Sequence, residues 1–79
     1  MKRYVATFHT HLSAMLTQRA LSAAGYAARM APTPRAVSSS CGTCVLYEGA
    51  DPGLAYMDDD AEAVYEQRDN AYLPVRKYE

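Results

Sequence analysis

The run Asp58-Asp59-Asp60-Ala61-Glu62-Ala63-Val64-Tyr65 decides the fold, because it is the segment that reads as the opening of a second helix. Acidic side chains at a helix N-terminus accept from its free N–H groups and complement its dipole. Ala61, Val64 and Tyr65 then recur at the three- and four-residue steps of one buried helical face. An earlier start would enlist Leu54 and Met57.

Working outward from that helix, residues 43–48 carry Val45, Leu46 and Tyr47 and read as a strand, closed by turn residues Gly49, Asp51, Pro52 and Gly53. Downstream, residues 73–78 form a last strand that Pro74 confines to a sheet edge, since proline donates nothing to a central ladder. The N-terminal half begins with a strand over Lys2–Phe8, rich in residues suited to a half-buried pleat. Thr10 then caps a helix whose inward positions are Leu12, Met15, Leu16, Ala20, Ala23 and Ala24, ended by Gly25. A short strand over 26–31 stops at Pro32 and Pro34, and 32–40 is an ordered loop.

The order is βαββαβ. Its simplest closure is the ferredoxin-like α+β arrangement, a four-stranded antiparallel sheet with both helices on one face, as a single domain over residues 1–79. Right-handed crossovers place the end of the first strand and the loop after the second strand on the same edge. The start of the first helix and the segment approaching Cys41 are therefore predicted to meet in space.

With 79 residues the core is small, so self-association as a homodimer, or docking on a partner, is expected to add stability. Eight basic and nine acidic residues are interspersed, for a net charge of −1. That excludes the concentrated basic face of a non-specific nucleic-acid binder and a polybasic membrane anchor. No apolar run reads as a signal peptide or a membrane span. Two cysteines fit a reducing compartment, so the cytoplasm is expected.

Chemistry concentrates in Pro32-Thr33-Pro34-Arg35-Ala36-Val37-Ser38-Ser39-Ser40-Cys41-Gly42-Thr43-Cys44. A reactive sulfur needs its thiolate, which a cation, a helix N-terminus or converging donors favour. Arg35, the helix start at Thr10, and the hydroxyls and amides of Ser39, Ser40 and Gly42 are the candidates for these roles. Gly42 lets the backbone approach a bound atom without a clash. Cys41, at the loop end, is the acceptor thiol, and Cys44, already in the strand, its resolving partner. The competing reading makes both cysteines small buried hydrophobes, Arg35 a solvated charge and the serines a polar turn. No general base falls beside the serines by spacing, which argues against a serine nucleophile. His9 and His11 share the predicted edge with the cysteines, but their spacing is not that of a zinc finger, so no metal site is assigned. The three aspartates lack the alternating ligands of a calcium loop. The seven tyrosines are scattered and are assigned to packing.

The proline-flanked arginine and the segment Val37-Ser38-Ser39-Ser40-Cys41-Gly42 resemble the signature of the family named Putative Se/S carrier protein-like (DUF3343), and the likeness extends over most of the chain. The resemblance implies a small stand-alone protein that hands on sulfur or selenium without a cofactor, with Cys41 and Gly42 at the family's cysteine and glycine positions. It further implies a donor enzyme such as a cysteine desulfurase and an acceptor such as selenophosphate synthetase. Two features depart from the pattern: His9 and His11 flank the helix start, and the stretch 49–57 is longer. Two other functions compete with the carrier. One is a small thiol-disulfide oxidoreductase cycling Cys41 and Cys44, and the other is a soft-metal chaperone for copper or zinc.

Overall fold

The computed structural model describes residues 1–78. It comprises β1 (Lys2–Phe8), α1 (His11–Ala23), β2 (Ala27–Pro32), β3 (Thr43–Gly49), a single 3-10 turn (Leu54–Tyr56), β4 (Ala61–Arg68) and β5 (Ala71–Lys77). The strands form one sheet in the order β2-β3-β1-β4-β5, and every neighbouring pair is antiparallel. The α+β class and the antiparallel sheet agree with the sequence reading. The details differ: the described residues form five strands and one α-helix.

The run that was expected to open a second helix instead enters β4. Asp58 closes a turn, accepting from the Asp60 N–H through Oδ2 (3.2 Å) and from the Ala61 N–H through its carbonyl (3.0 Å). Strand geometry wins here because a helix would have only Ala61, Val64 and Tyr65 to bury. As a strand, the same segment hydrogen-bonds on both sides and seals Ala61, Ala63 and Val64. Asp69-Asn70 then make a two-residue hairpin turn into β5, with Asp69 at φ 52°, a left-handed conformation that aspartate and asparagine tolerate. The crossover from β3 to β4 passes over the helix side of the sheet as the 3-10 turn, from which Leu54 packs with Met57 against the main core. Pro74 does lie in an edge strand, opposite Tyr65.

Helix α1 is bounded as its sequence predicts. Thr10 Oγ1 accepts from the Ser13 N–H at 3.1 Å. At the other end Tyr26 N–H reaches the Leu21 carbonyl and Gly25 N–H the Ser22 carbonyl, with Gly25 at φ 98°. This is the paired bonding of a Schellman motif, which needs the left-handed residue that glycine supplies. The buried face, however, is Ser13, Ala14, Thr17 and Leu21 rather than the predicted stripe. Leu12 is 58% exposed and Leu16 44%. The small residues let the helix sit close to the sheet, and their hydroxyls bond Asp58: Ser13 donates to Oδ2 at 2.8 Å and Thr17 accepts from the Asp58 N–H at 2.9 Å. With the second helix replaced by a strand, no helix covers Leu12 and Leu16.

Two apolar clusters flank the sheet. The one under α1 contains Tyr4, Ala6, Phe8, Leu21, Val45, Tyr47 and Val64; the one on the opposite face contains Val5, Val37 and Cys44. Tyr4 stacks on Tyr47 with ring centroids 5.2 Å apart, and Tyr26 meets Tyr47 edge-on at 6.1 Å. Several tyrosines thus pack in or around the core.

Candidate functional site

The connection 33–42 between β2 and β3 is tied at its base by the Thr33 N–H donating to the Gly42 carbonyl at 3.0 Å. Gly42 has φ 74°, a conformation that glycine alone adopts readily. This bend lets Cys41 and Cys44 diverge. Cys41 is half-buried and packs against the helix-side cluster, whereas Cys44 is fully buried in the cluster on the other face. Both are free thiols.

The predicted meeting of the first strand's end with the cysteine loop is present. Ser39 Oγ lies 3.0 Å from the Phe8 carbonyl, 3.3 Å from the Thr43 carbonyl and 3.7 Å from Cys41 Sγ. Ser40 Oγ stands 3.4 Å from His9 Nδ1. Cys41 Sγ is itself 3.4 Å from the Thr43 carbonyl, to which its S–H donates. Ser39 holds one hydroxyl proton and three acceptors surround it. If Cys41 loses its proton, the S–H donation to Thr43 ends and the Ser39 hydroxyl is within reach to turn toward the sulfur.

Cys44 has a different environment. Burial pushes its thiol above the usual range, while the Thr33 hydroxyl and Arg29 act in the opposite direction. Its S–H donates to the Pro32 carbonyl at 3.7 Å.

Of the other residues singled out by sequence, Arg35 is exposed. Among the described residues the ion pairs of arginine are Arg3–Glu48 and Arg68–Glu66, so Arg35 stands outside them. Thr10 spends its hydroxyl on the helix cap. His11 is exposed on the first turn of α1. Among the described residues no group of three or more His, Cys, Asp and Glu side chains is placed to hold a metal ion.

Sequence reasoning missed Glu62, which it assigned to the second helix. Its Oε1 accepts from the Ser40 N–H at 2.9 Å and its Oε2 from the Ser40 hydroxyl at 2.7 Å, with His9 Nδ1 3.4 Å from the same Oε2. Ser40, His9 and Glu62 do not form a hydrolytic triad, because both partners face one ring nitrogen instead of bracketing the imidazole. No spacing in the sequence marks Glu62, because its place beside the end of β1 depends on an irregularity in the pairing of β1 with β4.

Against known proteins, the model of the family described as Putative Se/S carrier protein-like matches residues 3–57, well over half of the chain. The chain belongs to this family. The matched part of this Se/S carrier-like protein runs from β1 through the cysteine loop to Met57 and stops before β4. The chain is also similar to a protein of Escherichia coli (strain K12) named Uncharacterized protein YtiA, 28% identical over 86 aligned positions that cover 99% of this chain and 94% of the relative. No solved structure matches it. Among the described residues of this Se/S carrier-like protein, no helix is long and apolar enough to cross a membrane.

Proposed function

We propose that the protein carries sulfur or selenium as a persulfide or selenopersulfide on Cys41. The observation that carries this reading is a half-buried free thiol, at the end of a pinned loop, with a serine hydroxyl 3.7 Å from its sulfur. Family membership supports it independently.

In the transfer, the Cys41 thiolate attacks the outer sulfur of a donor persulfide R–S–SH. A new S–S bond forms on Cys41, the donor's S–S bond breaks, and R–S⁻ leaves with the electron pair. Delivery is the same exchange in reverse, with an acceptor thiolate attacking the outer atom. Ser39 donates to whichever sulfur bears the charge. A cysteine desulfurase is the class of donor and a selenophosphate synthetase the class of acceptor that suit this chemistry. Such a cycle belongs in the cytoplasm.

Cys41 is favoured over Cys44 as the exchanging atom because Cys44 is sealed and its thiolate disfavoured by burial. The same contrast counts against a dithiol-disulfide cycle, which needs both sulfurs to meet. A soft-metal chaperone would need the two thiolates to face one ion, whereas Cys41 and Cys44 pack into different clusters.

Intact-protein mass after incubation with inorganic polysulfide tests the reading. One added sulfur in the wild type, lost in Cys41→Ser and kept in Cys44→Ala, is the expected result. An adduct that persists in Cys41→Ser removes Cys41 from the mechanism.

A further inference from the structure

Glu62 occupies an irregular place in its strand. Thr7 of β1 lies opposite Ala63 of β4, and Phe8 lies opposite Ala61, so one residue of β4 has no partner across the ladder. That residue is Glu62. Ala61 joins the helix-side cluster, while Ala63 faces the other side with Thr7. The extra residue is a β-bulge, a device that re-aims a side chain and recurs beside functional sites.

Here the bulge turns the carboxylate to the cysteine loop, where both its oxygens accept from Ser40, the residue before Cys41. The Glu62 backbone is held in turn, because its carbonyl accepts from the Tyr78 N–H at 2.9 Å. His9, from the end of β1, stands against the same carboxylate oxygen. The loop is therefore fixed on two sides: Ser39 on the Phe8 carbonyl and Ser40 on Glu62. Glu62 also lies outside the matched residues 3–57, so the hairpin that carries it supplies a contact that the family segment lacks.

We infer that Glu62 is a positioning residue for Cys41: by gripping the Ser40 N–H and hydroxyl, it holds the sulfur against Ser39 in the orientation that chalcogen exchange needs. This rests on the carrier reading. Two measurements on the same thiol separate positioning from mere access. Alkylation by the neutral reagent iodoacetamide requires a reachable thiolate but no donor aimed at the incoming group. Exchange with inorganic polysulfide brings two anionic sulfurs together and requires a donor aimed at the junction.

The inference predicts that Glu62→Ala slows polysulfide loading of Cys41 about tenfold and leaves the alkylation rate unchanged or raised, with Glu62→Gln intermediate because the amide oxygen still accepts from the Ser40 N–H. Ser40→Ala should add little further loss in the Glu62→Ala background, since the two act as one unit. If loading is unchanged, or if loading and alkylation fall in parallel, Glu62 does not position the sulfur. If the wild type itself takes no sulfur on Cys41, the carrier reading fails instead. Faster amide hydrogen exchange at Ser40 in Glu62→Ala is then still expected, and its absence would show that the grip itself is not made.

Discussion

Cys41 and Cys44 are three positions apart, yet their side chains join different apolar clusters on opposite sides of the sheet. The left-handed Gly42 and the strand start at Thr43 force this divergence. In the native protein one thiol should therefore react rapidly with a thiol reagent and the second only after denaturant is added, with Cys41→Ser abolishing the rapid phase. Mild oxidation should leave two titratable thiols. A prompt internal disulfide in the folded protein would contradict the observed divergence.

Cys44 fills space in the second cluster, so Cys44→Ala should cost roughly 1 kcal/mol of stability through the small cavity it leaves. Urea unfolding measures this, and sulfur loading should be unchanged. Loss of loading in a variant that is still folded would assign Cys44 a chemical part.

Thr10 caps α1 through its hydroxyl, as its sequence position predicts. Thr10→Ala should destabilise the fold by about 1 kcal/mol, and Thr10→Asp should restore it. Neither should change the loading rate of Cys41, as a mass-resolved time course would show.

The ring of Tyr26 lies against Gly49, so close that a Cβ there would stand 2.5 Å from two ring carbons. The ring is held by Asp51, Tyr47 and Tyr56 and has little room to withdraw. Gly49→Ala should cost about 1–3 kcal/mol by overpacking. The penalty should shrink in a Tyr26→Ala background, which a double-mutant cycle by urea unfolding would reveal.

The hydrogen bond from the Tyr26 hydroxyl to Asp51 makes stability depend on pH at both extremes. Tyr26, together with the Gly53 N–H, holds the Asp51 carboxyl below its ordinary value. Its contribution is present above about pH 4 and is lost as pH falls through the lowered value. The same bond, with burial, pushes the Tyr26 hydroxyl up to about 12. That contribution is complete below about pH 10 and disappears as pH rises toward the folded-state value. Melting temperatures of the wild type and Tyr26→Phe should differ most between these limits and converge outside them.

Much of the first half of the molecule was legible in the sequence. Thr10 and Gly25 marked the helix ends by chemistry that is local, and the topology of three strands around one crossover was enough to bring Ser39 and Ser40 to the end of β1. The second half was not, because aspartates before an apolar run suit a turn into a strand as well as a helix cap. Asp69-Asn70 carried the missed hairpin signal. Leu12 and Leu16 turn outward because the face that packs on the sheet is Ser13, Ala14, Thr17 and Leu21, a stripe of mostly small and hydroxyl residues that counting apolar positions does not select. The grip of Glu62 on Ser40 depends on a bulge, a tertiary irregularity that no local pattern announces.

The rim formed by β5 has its own consequence. Pro74 interrupts its row of amide donors, and Arg76 and Lys77 put positive charge along it. A strand from another molecule that tried to extend the sheet there would meet a missing hydrogen bond and mutual repulsion, so crowded solutions of the protein are protected on that side from growing into fibres.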